Sequence, residues 1–261
     1  MITRGSIRES SFKLNSRRAK TRRWMMKSIL ISLMALFLMV TNAFAVDFTL
    51  TTKTLSQYVG PNGIVLRDKP VQQTDLFVSL PKSFYADIWV SLSGKNDLGK
   101  EVDYTLGWSG EVSGLLLDAG VVYYDLIQLF QSRGDAVNFF GKVSREIAIS
   151  KSVKLTPYAK AEVIMPTNRD YLEGGTLAYA GSSFNWNMPR GFSLNQEIYV
   201  LLDSGTYGVE RAWISKYSAG IKKQLSKTVA VEPGLSIFVP LSKPTDRQKE
   251  TLFSLSISKS F

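Results

Sequence analysis

From residue 46 onward, apolar and polar residues alternate with a period of two, in short runs separated by turn-forming residues. That period belongs to a strand with one face in an apolar medium and the other in a polar one. The clearest runs are 101–109 and 251–261. In the first, Val102, Tyr104, Leu106 and Trp108 point one way, and Glu101, Asp103, Thr105 and Gly107 the other. In the second, Phe253, Leu255 and Ile257 oppose Ser254, Ser256 and Ser258. The pattern predicts twelve strands, at 46–55, 71–80, 84–93, 101–109, 114–124, 138–149, 153–164, 175–186, 192–202, 210–222, 228–239 and 251–261. Ten remain an alternative, since strand ends are set only to within a few residues, and 175–186 has no clean alternation.

The connections alternate without exception. Tight ones fall at 81–83, 110–113, 150–152, 187–191 and 224–227. Longer ones fall at 56–70, 94–100, 125–137, 165–174, 203–209 and 240–250. Short turns on one rim and longer loops on the other are the mark of a closed up-and-down transmembrane β-barrel. Closure follows from chemistry, since hydrocarbon offers no partner to a free N–H or C=O and an open sheet edge cannot stand in it. An even strand number puts both termini on the short-turn, periplasmic side. No run after Ala45 has the length of an apolar spanning helix.

Aromatic residues near strand ends (Tyr85, Tyr123, Tyr124, Phe139, Phe140, Tyr171, Trp186 and Tyr217) suggest interfacial girdles. Core aromatics of a soluble β-protein are the alternative. Two features fit the pattern poorly. Arg145 and Arg211 fall on the lipid face, where a cation costs roughly 2–4 kcal/mol at mid-depth. Pro157 and Pro233 interrupt strands without a ladder donor, which implies bulges or a displaced register.

Charge changes the picture less than it first suggests. The formal net charge is +10, but nine of the 32 Lys/Arg and one of the 22 Asp/Glu lie within 1–45. The remainder carries 23 basic and 21 acidic residues, which gives no reason to expect a nucleic-acid partner. Residues 1–45 read as a secretory leader. A basic segment ends at Lys27, the apolar stretch SILISLMALFLMV follows, and Ala43-Phe44-Ala45 supplies the small-x-small cleavage pattern. The expected division is thus a signal peptide over 1–45 and a barrel domain over 46–261. Met25 or Met26 would start a signal of ordinary length, so 1–24 is an over-long start or an extended basic region. An uncleaved anchor is the alternative, but the apolar stretch is shorter than the roughly 20 residues a spanning helix needs. The Arg22-Arg23 pair resembles a twin-arginine motif, a route for folded cargo that does not suit a barrel.

Cysteine is absent, which removes disulfides, thiolate metal sites and a lipidated Cys after the leader. Histidine is absent too. Barrel phospholipases and lipid A deacylases pair His with Ser, and omptin-like proteases pair Asp with His. All need imidazole as the base near neutral pH. The chain is therefore expected not to be an enzyme. No Gly-rich phosphate cradle or metal-ligand spacing appears, and no cofactor is expected.

Parity places the candidate pore-lining charges. Acids fall first: Asp47, Asp75, Asp87, Glu101, Asp103 and Asp118. Bases come later, at Lys142, Lys154, Lys160, Lys216 and Lys222, with Glu146, Glu162, Glu197 and Glu232 among them. An acidic wall facing a mixed wall would set a transverse field across a water-filled pore and tune its ion selectivity. The alternative is a salt-bridge network, pairing Lys160 or Lys142 with Glu146 or Glu162, that plugs the lumen. The partly apolar loop 125–137 (Leu126, Ile127, Leu129, Phe130) is expected either to fold inward as a constriction or to contact a partner.

Two resemblances add to this. The last strand, Thr251 to Phe261, resembles the terminal recognition strand of Gram-negative outer-membrane barrels, alternating apolar residues that end in an aromatic. It implies outer-membrane lipid and the barrel-assembly machinery as partners. The words Asp87-Ile88-Trp89-Val90-Ser91, Glu101-Val102-Asp103-Tyr104-Thr105-Leu106-Gly107-Trp108 and Asp118-Ala119-Gly120-Val121-Val122-Tyr123-Tyr124-Asp125 resemble the small TorF-like porin family. That family's early segment is matched only at Leu55-Ser56-Gln57. The resemblance implies an outer-membrane pore without a known cargo. Three readings follow: a passive porin for small solutes and ions, a closed structural or adhesion barrel acting through its loops, and a soluble periplasmic barrel with an apolar interior.

Overall fold

The structure is a computed structural model, and it describes residues 47–92, 101–126, 135–167 and 173–261. All lie within one compact unit, Val46–Phe261. Residues 1–46, and with them the expected leader, lie outside the described residues.

The strands are β1 (Asp47–Leu55), β2 (Tyr58–Val59), β3 (Val65–Arg67), β4 (Val71–Ser79), β5 (Phe84–Leu92), β6 (Glu101–Val112), β7 (Leu115–Asp125), β8 (Ala136–Ser144), β9 (Ile147–Ala148), β10 (Val153–Pro166), β11 (Gly175–Met188), β12 (Phe192–Asp203), β13 (Ala212–Gln224), β14 (Val229–Pro240) and β15 (Glu250–Ser260). Twelve of these form one antiparallel meander in the order β1-β4-β5-β6-β7-β8-β10-β11-β12-β13-β14-β15. The last strand returns to the first, with Thr49 opposite Ser260 and Leu55 opposite Ser254. The sheet has no free edge among these twelve, and the fold is a closed up-and-down barrel. The short β9 continues the line of β8 along β10.

Each predicted strand is present, with ends moved by a few residues. The short turns follow local chemistry. At 113–114, Ser113 (φ 52°) and Gly114 (φ 78°) both take positive φ, the condition for the two-residue turn whose twist matches its strands. Pro81-Lys82-Ser83 and Pro189-Arg190-Gly191 make the same kind of reversal, with Pro fixing the entry and a positive φ following it.

The outer wall is apolar and open to the surroundings. Phe48, Leu50, Leu106, Val163, Ile198, Trp213, Ile221, Phe253, Leu255 and Ile257 all project outward and are exposed. A belt of this extent is far larger than the patches that water-soluble monomers expose. The soluble-barrel reading needed 101–109 and 251–261 to turn their apolar faces inward, and they turn outward instead.

Several expectations change. Arg145 and Arg211 are exposed and lie outside the strands, at the two rims, so neither bears the mid-depth cost of a cation facing lipid. Pro157 and Pro233 produce no bulge. The β13–β14 ladder skips from Gly220↔Gly234 to Lys223↔Val231 with its register unchanged. Pro157 sits where β8 stops at Ser144↔Tyr158 and before β9 resumes. The missing donor is absorbed by a gap in the ladder. Of the expected girdle, Tyr85, Tyr124 and Phe140 face the lumen, because neighbours in a strand such as 123/124 and 139/140 cannot share a face. Phe139, Trp186 and Tyr217 do face outward and are exposed. Tyr171 lies outside the described residues.

Candidate functional site

The loop 56–70 carries the feature that defines the lumen. It folds into the long-loop mouth as a small hairpin, β2 pairing with β3 at Val59↔Val65 and Tyr58↔Arg67. Its tip, Gly60-Pro61-Asn62-Gly63, is turn chemistry. Gly60 N–H donates to the Ile64 carbonyl (2.8 Å) and Gly63 N–H to the Gly60 carbonyl (3.0 Å). Gly63 takes a φ of 78°, open to glycine at little cost, where it packs against Ile214 and Phe238.

Three polar anchors fix the hairpin to the wall. The Tyr58 hydroxyl donates to Glu101 Oε2 (2.5 Å). Asn62 Nδ2 donates to Asp203 Oδ2 (3.0 Å) and the Tyr199 hydroxyl to the Pro61 carbonyl (3.1 Å). Apolar contacts complete the seat. Leu55, Val59, Val71, Ala212, Ile214, Phe238 and Leu252 form one cluster. Leu126, Ala136, Ile164, Leu177, Tyr179, Tyr199 and Leu201 form another. The inner face of β11 is thus apolar near the mouth (Leu177, Tyr179) while its outer face carries Ala178 and Ala180. This removes the hydropathy contrast and explains its weak alternation.

Asp203 ties the rim together. Its side chain and that of Arg247 are fully buried and paired at 2.9 Å. Asp203 Oδ1 also accepts from the backbone N–H of Gly205 (3.0 Å) and Thr206 (2.8 Å). One carboxylate therefore holds the hairpin and the two loops after β12 and β14. At the outer edge, Glu210 accepts from the Thr245 hydroxyl (2.6 Å) and backbone N–H (2.9 Å). Those two bonds hold the Glu210 carboxyl below the usual glutamate range.

A cavity of about 340 Å³ remains beside the hairpin. Its lining includes Lys53, Tyr58, Trp89, Glu101, Asp103, Tyr124, Glu162, Tyr199, Tyr207 and Lys216. Of the candidate charges, Glu101, Asp103, Glu162 and Lys216 meet here. The others are distributed along the inner face. Asp118 accepts from the Tyr85 hydroxyl (2.8 Å) and Glu197 from the Tyr158 hydroxyl (2.9 Å). Glu232 accepts from Asn195 (2.9 Å). Asp75 and Asp87 lie on adjacent strands, two registers apart, with Asp75 opposite Trp89 and Phe77 opposite Asp87. Lys142 lies over the Tyr158 ring at 4.6 Å. Lys222, opposite Ser193, lies toward the short-turn end. Three bases have acid partners: Lys154–Glu146 (2.8 Å), Lys160–Glu162 (2.6 Å) and Lys216–Glu197 (3.6 Å).

Sequence reasoning missed the hairpin and with it Tyr58, Asn62, Lys53 and Trp89. A signal existed, since Val59, Ile64, Val65 and Leu66 flank a Gly-Pro-Asn-Gly turn inside what reads as a polar loop. The expected inward loop was 125–137. Leu126 does pack into the mouth, while 127–134 lie outside the described residues.

The described residues thus make a twelve-stranded barrel of the outer-membrane type, narrowed by its first long loop. Among solved structures, it is similar to a KdgM porin, at TM-score 0.54 and 7% identity over 82% of this chain and 99% of that one. It is similar to a NanC porin at TM-score 0.52 and 9% identity, with the same coverages. LpxR from Salmonella typhimurium gives TM-score 0.50 and 10% identity over 81% and 99%. At these identities the likeness is one of fold. No protein-family model and no curated protein sequence matches the chain.

Proposed function

We propose that the chain is an outer-membrane porin-like channel for passive diffusion of small solutes and ions, with the β2–β3 hairpin as its constriction. The observation that carries this is an inward-folded loop in a closed barrel whose inner face is polar below it and whose outer face is apolar. The likeness to two porin folds supports the same reading, as do the TorF-like words. On this reading residues 1–45 direct export to the periplasm, and the terminal strand ending at Phe261 is read by the assembly machinery. The non-enzymatic reading rests on the absence of histidine from the sequence.

The lumen charges would set selectivity. Acids on β4–β7 face a mixed wall on β8–β14, where Lys154, Lys160 and Lys216 are paired with acids, and the transverse field would favour dipolar solutes and cations. Single-channel conductance of the refolded barrel tests the proposal, with folding verified by heat-dependent gel migration. Discrete steps proportional to salt are expected. Replacing Asp103 and Asp118 with Asn should shift reversal potentials toward anions, and an unchanged potential removes both from selectivity. A second reading has an observation of its own: two apolar clusters and the hairpin fill the mouth, as in a closed barrel acting through its loops. A folded barrel that gives no steps under any applied voltage would establish that reading instead.

A further inference from the structure

The cavity beside the hairpin holds one carboxylate and one ammonium that the barrel itself leaves unmatched. Asp103 Oδ1 is shielded from solvent and has no hydrogen-bond partner among the described residues. Its flanks are aromatic, because register places Trp89 of β5 on one side and Tyr124 of β7 on the other. Tyr58 completes the enclosure, its ring 5.9 Å from that of Trp89. A carboxylate among aromatic faces is the chemistry that receives an organic ammonium group, by charge and by the ring quadrupoles. Lys53 is the complement. It lines the same cavity three strands away, on β1 between Gln73 and Ser256. It has no ion-pair partner among the described residues, whereas Lys160 and Lys216 are matched by Glu162 and Glu197.

An unmatched buried charge is costly, and a ligand that supplies its partner recovers that cost. A plain cation would satisfy Asp103 and bring a second positive charge toward Lys53. A plain anion would do the reverse. Only a solute carrying both charges satisfies both ends, and about 340 Å³ lies at the small end of ligand sites.

We infer that this cavity is a binding site for a small zwitterionic solute, its ammonium on Asp103 between Trp89 and Tyr124 and its carboxylate on Lys53. The inference deepens the channel reading by naming the solute class that would pause at the constriction.

The test compares three ligands of one length on the refolded full chain by titration calorimetry: 6-aminohexanoate, hexylamine and hexanoate. The zwitterion is expected to bind about tenfold or more tightly than either singly charged analogue, the scale of one charge-assisted hydrogen bond. Asp103→Asn should bring it to the level of hexanoate, and Lys53→Met to that of hexylamine. Equal affinities for zwitterion and hexylamine, or no saturable binding, would overturn the inference. So would an Asp103→Asn variant that binds as the wild type does. Should a variant not fold, the ranking of the three ligands on the wild-type chain decides alone. Conductance is measured on the same preparation. A chain that conducts but does not bind ends this inference and keeps the channel. A chain that ranks the ligands as expected but never conducts keeps the site and ends the channel reading.

Discussion

Tyr58→Phe isolates the energy that seats the hairpin. The substitution keeps the ring, its contact with Trp89 at 5.9 Å and its place against the apolar cluster. It removes only the hydroxyl that donates to Glu101 Oε2 at 2.5 Å. Glu101 is 5% exposed, so water does not readily replace the lost donor. Leaving a buried acceptor without its donor costs about 1–3 kcal/mol. If the hairpin moves between seated and released positions, that loss shifts the balance toward release by roughly 5- to 150-fold. The anchors from Asn62 and Tyr199 remain, so release is transient and not complete. In planar bilayers the variant should spend correspondingly longer at a larger conductance level than the wild type at the same salt and voltage. Dwell times and step sizes identical to wild type, with folding intact, would refute the hairpin as the constriction.

Other perturbations test the frame around it. Arg247→Met leaves the Asp203 carboxylate buried without its cation, and breaking such a pair costs about 3–5 kcal/mol. The urea midpoint should fall and loop 241–249 should become cleavable by protease, whereas unchanged values would mean that the pair is not a clamp. Gly120→Ala places a Cβ 2.6 Å from the Leu106 carbonyl oxygen and 2.8 Å from the Phe140 ring. Overpacking of this kind costs about 1–3 kcal/mol, visible as a lower temperature for the gel-mobility shift. The Glu210–Thr245 contact should depend on pH. Its folded carboxyl titrates below the unfolded one, so the contact's contribution is full above the unfolded value and is lost as pH falls through the folded one. The protection of the Thr245 amide, its exchange rate relative to the intrinsic rate at each pH, should fall over that acidic window and stay constant between pH 6 and 8.

The strands were legible because a barrel wall between two media imposes a period of two on almost every residue. Val102, Tyr104 and Leu106 against Glu101, Asp103 and Thr105 leave one choice of face, and a slip of one residue would reverse all of them. The same parity is what makes the charges expected in the lumen nameable from sequence. Where the inner face is apolar, as at Leu177 and Tyr179, parity lost its contrast. Adjacent aromatics such as Tyr123 and Tyr124 could not be assigned by composition.

Sequence by itself determined the barrel class, the alternation of short and long connections and the face each strand residue takes, since all are local consequences of hydropathy and turn chemistry, whereas twelve strands over ten was decided by the closed ladder. Only the tertiary structure decided what fills the mouth. The contacts that seat the hairpin join residues far apart in the chain: Tyr58 to Glu101, Asn62 to Asp203, Asp203 to Arg247. No period along the chain encodes such pairs. They form because closing the barrel brings β1, β6, β12 and the loop after β14 around one lumen, where a buried polar group must find a partner across the space.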